Sequence, residues 1–286
     1  MRSYVPQKPL WLDKKLNLGA CREVKELLRA SGVRTVCEES LCPNITECFS
    51  VKTATVMILG SICSRNCTFC AVQKGIPSPI DAGEPERVRL AAEKLGLRYV
   101  VVTSVTRDDL ADGGSELFSR TCRELKKMSP SPQVELLIPD FQGKIESIER
   151  IAYSGAEVIS HNLETTPCLY IEVRKGAAYE RSLDVLRRIK ELNPEILTKS
   201  GLMLGLGESG EDILAVLLDL RSVSCDFLTL GQYLPPTRHH HPLAEYISPE
   251  KFNFFASEAR NLGFKGVQSS PYTRSSYRAH TFLPVS

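Results

Sequence analysis

Three cysteines, Cys63, Cys67 and Cys70, form a C-x3-C-x2-C triplet directly after an apolar run at residues 55–59 that is typical of a buried strand. Iron–sulfur clusters are normally held by four thiolates, so a triplet leaves one iron free to bind a group that is not protein. The spacing therefore predicts a cluster with an open iron. A zinc knuckle is the alternative, but zinc requires a fourth Cys or His nearby, and the next histidine is His161.

A second triplet, Cys37, Cys42 and Cys48, precedes the first with the spacing C-x4-C-x5-C. This spacing is too irregular for one face of a helix, and Pro43 interrupts it. The pattern predicts a loop wrapped around a second cluster, with a structural zinc loop as the alternative.

Composition indicates where such a protein works. The chain has 286 residues, enough for one main domain, and its net charge of +2 indicates neither nucleic acid nor membrane as a partner. No apolar run approaches the roughly 18 residues of a membrane span, and the first residues lack the apolar core of a signal peptide. Six of the ten cysteines lie in the two triplets, which favours metal binding in a reducing compartment, so we expect a cytoplasmic protein. The scattered remainder are interpreted as packing residues: Cys21, Cys122, Cys168 and Cys225.

Short β-rich runs alternate with amphipathic stretches from residue 55 onward, which predicts parallel β/α units. The predicted strands are residues 55–60, 99–104, 134–139, 158–163, 199–206 and 227–233. The predicted helices are residues 84–95, 115–128, 144–154, 180–192, 211–222 and 249–262, with one more near the N-terminus at residues 14–31. Six units of this kind form either an open doubly wound sheet or an incomplete barrel, and periodicity does not distinguish the two.

Polar residues follow several predicted strands, where parallel sheets carry their chemistry. Thr103 ends the second strand, and His161, Asn162 and Glu164 end the fourth. His161 is either a hydrogen-bonded residue at the strand end or a proton-transfer group. The tract at residues 239–241, three histidines beside prolines, indicates loop surface, with metal binding as the less favoured alternative.

The C-x3-C-x2-C triplet resembles the radical S-adenosylmethionine (SAM) superfamily. Both triplets, together with residues 103–114, 161–164 and 198–203 and the terminal Arg-Ser-Ser-Tyr motif at residues 274–277, are similar over nearly the whole chain to the lipoyl synthase family. The resemblance implies an α/β fold, a partial (β/α)6 barrel at residues 53–262. Extensions at residues 1–52 and 263–286 would cover the barrel mouth.

The same resemblance implies two 4Fe-4S clusters and SAM as cofactors. Cys63, Cys67 and Cys70 would hold the SAM-binding cluster. Cys37, Cys42 and Cys48 would hold an auxiliary cluster whose fourth ligand is a serine. We favour Ser276 over Ser275, with Ser269 and Ser270 as weaker alternatives. Oxygen is a harder ligand than thiolate for this soft site, so the iron that it binds is the natural one to release.

Family members act on an octanoyl chain that is amide-linked to a lysine of a lipoyl carrier domain. Two 5'-deoxyadenosyl radicals remove hydrogens at carbons 6 and 8, and the auxiliary cluster supplies both sulfurs, so no acid/base pair is required. The implied carriers are the acyltransferase subunit of a 2-oxoacid dehydrogenase or the glycine cleavage carrier protein. The implied reductant is a ferredoxin or flavodoxin.

Residues that match the family's SAM contacts are Phe69, Thr103, Asn162, Glu164 and Arg174. Arg174 could hold the SAM carboxylate through two hydrogen bonds. The sequence departs from the family at Lys175, where a proline is usual, and at residues 269–271, which lack the usual glycine. Two alternatives remain open from the residues: a sulfur-inserting enzyme resembling biotin synthase, and a non-catalytic electron carrier with two clusters.

Overall fold

Seven parallel strands form the centre of the protein in a computed structural model, which describes residues 7–13, 20–50 and 53–283. The strands in chain order are β1 (Arg34–Thr35), β2 (Thr55–Ile58), β3 (Ile62–Cys63), β4 (Gln73–Lys74), β5 (Tyr99–Ser104), β6 (Gln133–Leu137), β7 (Val158–Ser160), β8 (Leu197–Leu204), β9 (Phe227–Gln232) and β10 (Gly266–Ser269). The main sheet has the order β1-β2-β5-β6-β7-β8-β9-β10, in which β1 alone is antiparallel to its neighbour. Its two edges, β1 and β10, are not paired with each other, so the sheet is a partial barrel as predicted.

The six predicted strands all appear; the strand at residues 99–104 has both ends as predicted, and the ends of the others shift by at most three residues. The seventh parallel strand, β10, was missed because its sequence Gly-Val-Gln-Ser has no apolar run and every residue is half-buried. It lies within the predicted C-terminal extension and pairs with β9. The division at residues 52 and 262 stays a prediction.

Helices cover the outside of the sheet. They are α1 (Ala20–Ala30), α2 (Val36–Glu39), α3 (Ile45–Ser50), α4 (Glu84–Leu95), α5 (Ser115–Leu125), α6 (Ile145–Ala152), α7 (Tyr170–Val173), α8 (Tyr179–Leu192), α9 (Gly210–Ser222) and α10 (Pro249–Asn261). Local signals set several ends: Ser209 and Asp212 form a capping box at the start of α9, and Gly96 ends α4 in the left-handed conformation. Of the helix predicted at residues 14–31, residues 14–19 lie outside the described part of the chain.

The second triplet was expected in a loop, and this expectation was wrong in part. Cys37 lies in α2 and Cys48 in α3, with Cys42 in the turn between these two short helices. Thr35 caps α2 by accepting a hydrogen bond from the Glu38 N–H. Pro43 prevents one continuous helix, so the chain forms two short helices, α2 and α3. The three cysteines therefore lie on separate segments: α2, the turn and α3.

The core has an apolar layer between sheet and helices and a polar layer inside the barrel. Val134 and Leu136 of β6 are fully buried in the main apolar cluster, whereas Glu135 between them is fully buried against Ser160 and Lys199 of β7 and β8. Because side chains alternate along a strand, Glu135 faces the side opposite to its neighbours. The barrel interior is therefore charged and hydrogen-bonded.

The chain folds back after β10, so that residues 270–283 cross to the N-terminal region. Asn44 Nδ2 donates to the Tyr272 carbonyl at 2.7 Å, and the Tyr277 hydroxyl donates to Glu47 at 2.5 Å. Within the described residues, no helix is both long and apolar enough to cross a lipid bilayer.

Candidate active site

One cavity of about 340 Å³ lies at the carboxyl ends of the strands. All of the predicted cluster ligands and SAM contacts line it except Cys48. The lining residues among them are Cys37, Cys42, Cys63, Cys67, Cys70, Phe69, Thr103, Asn162, Glu164, Arg174 and Ser276, together with the alternative Ser275. Cys48 is half-buried and packs against the main apolar cluster instead. The fold thus brings together residues that are more than 200 positions apart in the chain.

Arg65, between Cys63 and Cys67, anchors the first triplet to the barrel. Its guanidinium forms two hydrogen bonds with Asp108, at 2.6 and 2.8 Å, and two with Asp140, at 3.0 and 2.6 Å. Asp108 follows β5 and Asp140 follows β6. Both Arg65 and Asp140 are buried, and the guanidinium holds the pKa of the Asp140 carboxyl well below its usual range against the opposing effect of burial. The sequence prediction missed these residues, although an arginine inside the motif and acidic residues after two strands were visible signals.

Backbone hydrogen bonds hold the same loop on both sides. The Ser64 N–H donates to the Thr106 carbonyl, and the Thr68 N–H donates to the Val173 carbonyl, each at 3.0 Å. The loop is therefore attached to the segments after β5 and at the end of α7. The barrel therefore fixes the positions of the cysteines in this loop.

Thr55, the first residue of β2, links the second triplet to the C-terminal segment. Its hydroxyl donates to Ser276 Oγ at 2.7 Å, and Thr55 also lies beside Cys37, where it partly opposes the rise in the pKa of that thiol. Burial raises the pKa of that thiol to about 12, and nearby Cys42 and Cys48 add to the rise. The three cysteines and Ser276 thus lie around one region.

Ser275 and Ser276 face different neighbours. The Ser276 hydroxyl contacts Thr55 beside Cys37, whereas the Ser275 hydroxyl donates to Asn162 Oδ1 at 3.0 Å. Both serines lie in a turn, in which the Tyr277 N–H donates to the Arg274 carbonyl at 3.0 Å, so their side chains leave the backbone in different directions. Ser276 therefore lies closer to the second triplet, and Ser275 faces the segment after β7.

The expected SAM contacts form a connected polar group. Asn162 Nδ2 donates to Glu164 at 3.0 Å, and Arg174 Nη1 donates to the Asn162 carbonyl at 2.8 Å. Glu164 has a left-handed backbone with φ of 67°, a strained conformation for this residue, and burial raises the pKa of its carboxyl. The Thr103 hydroxyl donates to the Leu137 carbonyl at 2.9 Å, which leaves its oxygen able to accept.

Three buried side-chain atoms in the cavity lining lack hydrogen-bond partners among the described residues: Ser104 Oγ, His161 Nε2 and Arg174 Nε. His161 Nδ1 lies 2.9 Å from the Ile138 carbonyl, so this nitrogen carries the proton and Nε2 is an acceptor. Burial lowers the pKa of His161 to about 4, which keeps it neutral. A free donor and a free acceptor suit a ligand that has a carboxylate and an ammonium or hydroxyl group, as SAM has.

The cysteines of both triplets provide thiols, which bind metals as thiolates. In the described part of the chain, no three His, Cys, Asp or Glu side chains converge closely enough to hold one metal ion. None of the ten cysteines, all of which lie in the described residues, forms a disulfide bond, and burial raises the pKa of Cys70 to about 11. Since iron binds the thiolate, metal binding there releases protons.

Comparisons with known proteins agree with this geometry. Residues 57–220 match the model of the Radical SAM superfamily. The chain is 52% identical over 276 residues to a lipoyl synthase of Alkaliphilus metalliredigens, covering 96% of this chain and 95% of the relative. It is 50% identical over 279 residues to a lipoyl synthase of Caldanaerobacter subterraneus subsp. tengcongensis, covering 98% of both.

The chain belongs to the lipoyl synthase family. Lipoyl synthases are radical SAM enzymes that insert sulfur and use SAM with two 4Fe-4S clusters, so the predicted fold, enzyme class and cofactors are confirmed. The alternatives of a zinc protein, a biotin synthase relative and an electron carrier are set aside.

Solved structures support the fold of this lipoyl synthase family member. The hydrogenase maturase HydG has a TM-score of 0.60 at 11% identity, with coverage of 86% of this chain and 62% of HydG. SuiB of Streptococcus suis, solved with SAM bound, has a TM-score of 0.61 at 13% identity, with coverage of 84% and 56%. The chain spans under two thirds of these two structures, which therefore show a shared fold alone.

Two sequence interpretations outside the site were wrong. Cys168 is exposed rather than packed, because it lies in the turn before α7. In the histidine tract, His241 is buried rather than on the surface, and its Nε2 lies 3.1 Å from the Leu206 carbonyl. Hydrogen bonds to backbone groups account for this burial, and composition alone does not reveal them.

Proposed function

We propose that this chain inserts sulfur at carbons 6 and 8 of an octanoyl group on a lysine of a lipoyl carrier domain. Cys63, Cys67 and Cys70 would hold the SAM-binding cluster. A second ligand set, Cys37, Cys42, Cys48 and Ser276, would hold the auxiliary cluster. The observation that supports the proposal is the single cavity lined by five of these six cysteines and by Ser276.

The two cofactors, when bound, supply radical hydrogen abstraction and the sulfur atoms. The residues of this chain position and enclose the reactants. We propose that Arg174 and His161 hold SAM through their free Nε and Nε2 atoms, while Asn162 and Glu164 contact its hydroxyl and ammonium groups. Phe69, which packs against Val173 and Tyr233 in a small apolar cluster, would contact the adenine.

Apolar side chains of the cavity suit the octanoyl chain. Met57, Val105 and Leu137 line it together with the cysteines. Burying a saturated chain there gains about 0.8 kcal/mol per methylene group and excludes water from a radical reaction. None of the residues above is proposed to act as a general acid or a general base. Removal of a hydrogen atom by a radical requires neither.

The proposal also includes the physiological protein partners. We propose the acyltransferase subunit of a 2-oxoacid dehydrogenase or the glycine cleavage carrier protein as substrate, and a ferredoxin or flavodoxin as reductant. None of the ten cysteines, all in the described part of the chain, forms a disulfide bond, which supports the proposal that the protein works in the reducing cytoplasm.

The test is one anaerobic turnover of reconstituted full-length protein with SAM, a reductant and an octanoylated carrier peptide, followed by mass spectrometry. We expect about eight irons and eight sulfides per chain from two four-iron clusters, and a peptide that gains two sulfurs. Cleavage of SAM without sulfur gain, at full iron content, would contradict the proposed substrate. A colourless zinc-loaded protein would contradict the cluster assignment.

A further inference from the structure

Lys199 of β8 is fully buried inside the barrel, where lysine is seldom found. Its ammonium is paired with Glu135 of β6, which is also fully buried. The Tyr99 hydroxyl and the Ser160 hydroxyl each donate to Glu135 at 2.7 Å, and the Lys199 ammonium lies 5.3 Å from the centre of the Phe282 ring. The pair thus has two hydroxyl partners on the carboxylate and an aromatic ring beside the ammonium.

Lys199 makes one further contact, which leaves the sheet. Its Nζ donates to the Ser275 carbonyl at 2.9 Å. This carbonyl belongs to the peptide that leads directly into Ser276. The residues in contact lie 76 positions apart, so the bond joins the middle of the barrel to the C-terminal segment.

Stability alone does not explain a buried ion pair at this position. The cost of removing two charges from water usually offsets their attraction, and an apolar pair of similar volume is often as stable or more so. A charge-assisted hydrogen bond to a carbonyl, in contrast, fixes a backbone position strongly. Among the described residues, the Lys199 ammonium is the one hydrogen-bond donor to the Ser275 carbonyl, so the lysine fixes the orientation of that peptide.

We propose that Lys199 is a positioning residue for sulfur insertion: by holding the Ser275 carbonyl, it keeps Ser276 beside Thr55 and the second cysteine triplet. The inference rests on the proposed function, since it concerns the serine assigned to the auxiliary cluster. Ser276 is held from two strands, by Thr55 of β2 directly and by Lys199 of β8 through the preceding peptide. Glu135 holds the ammonium in place and balances its charge.

The test compares Lys199→Met with the double variant Lys199→Met/Glu135→Gln. The single variant leaves Glu135 buried without its cation, so both stability and position suffer. The double variant removes both charges and keeps hydrogen-bonding groups for Tyr99 and Ser160. Lys190→Met is the matched control, because Lys190 of α8 pairs at 2.7 Å with the buried Asp226, which directly precedes β9. The other hydrogen bonds of its ammonium go to the Pro194 and Ile196 carbonyls, outside residues 270–283.

Two readouts are measured on reconstituted full-length protein: amide hydrogen exchange of residues 270–283 and lipoyl formation on the carrier peptide. We expect the double variant to regain most of the thermal stability lost by Lys199→Met. Its residues 270–283 should still exchange roughly tenfold faster than in the wild type, since a charge-assisted bond is absent. Lipoyl formation should fall in parallel. Lys190→Met should change stability without changing exchange in this segment.

Wild-type exchange and wild-type lipoyl formation in the double variant would overturn the inference, because they would reduce Lys199 to a charge partner of Glu135. Unchanged exchange of residues 270–283 in Lys199→Met would also overturn it. Failure of the proposed function is a separate result: the wild-type protein itself would then yield no lipoyl product, whereas the exchange measurement would still report on the position of the segment.

Discussion

The two cysteine triplets are held in different ways. The loop with Cys63, Cys67 and Cys70 is fastened by Arg65 to residues that follow two neighbouring strands of the barrel. The triplet with Cys37, Cys42 and Cys48 lies on two short helices, and its region is closed by residues 270–283 from the far part of the chain. The first site is therefore part of the barrel, whereas the second exists only when two distant segments meet.

Cysteine variants should give the largest difference in activity between the two sites. We expect Cys67→Ala to abolish reductive cleavage of SAM, because its cluster loses a ligand. Cys42→Ala should retain some cleavage and yield no lipoyl product. The measurements are 5'-deoxyadenosine by chromatography and lipoyl peptide by mass spectrometry. Equal loss of cleavage in two folded variants would show that the sites do not work separately.

Alanine variants of Ser275 and Ser276 test the contact between the second triplet and the C-terminal segment. Ser276→Ala should lower lipoyl formation by roughly a hundredfold, since the loss of groups one shell beyond a metal already costs about 10–100-fold. Ser275→Ala is the control, because its hydroxyl faces Asn162 rather than Thr55. Mössbauer spectra of both variants would show which one alters the auxiliary cluster. The reverse pattern would assign the ligand to Ser275.

Arg65→Met should destabilise the loop that carries Cys63, Cys67 and Cys70, because Arg65 attaches this loop to the barrel. Removing the guanidinium leaves the buried Asp140 with Arg181 as its remaining cation, at 2.8 Å, and we expect a loss of about 3–5 kcal/mol in the free energy of unfolding. Urea denaturation measures this loss. Arg123→Met, which breaks an exposed pair with Glu116, is the control and should cost less than about 1 kcal/mol. A similar small loss for Arg65→Met would mean that the loop does not depend on its ion pairs.

Acid should weaken the fold through His161. Its pKa is lowered to about 4 in the folded protein, against 6.5 for an ordinary histidine, so the unfolded chain binds more protons between these values. This contribution, about 3 kcal/mol, is complete above pH 6.5 and is lost as the pH falls towards 4. We expect His161→Gln, which can still donate to the Ile138 carbonyl, to show a flatter decline in urea unfolding. An identical decline in both proteins would contradict the neutral, buried histidine.

The smallest effect should come from Tyr277→Phe on the side of the second triplet. The variant loses one hydrogen bond to Glu47, which Arg278 also contacts at 3.1 Å, so we expect a cost of about 1 kcal/mol. Hydrogen exchange should increase in residues 270–283 and remain unchanged around Cys67. Faster exchange around both triplets would mean that the two regions are coupled after all.

Much of this organisation could be predicted from sequence, and the exceptions have two causes. Strand periodicity located β2 and β5 to β9, and cysteine spacing located both triplets. Periodicity could not locate β10, whose half-buried residues show no apolar pattern. Nor could it pair Arg65 with Asp140, or Lys199 with Glu135, because charged residues that pair across a fold carry no local signal for the partner.

The fold-back of residues 270–283 has a consequence for the order in which the protein becomes native. The bond between Thr55 and Ser276 closes a loop of 221 residues, whereas Arg65 closes loops of 43 and 75 residues with Asp108 and Asp140. Loop-closure entropy makes the longer closure costlier by roughly 1–1.5 kcal/mol, and contacts between distant residues form slowly. We therefore expect the barrel loop to form early in folding, and the region around Cys37 to be completed last and to open first.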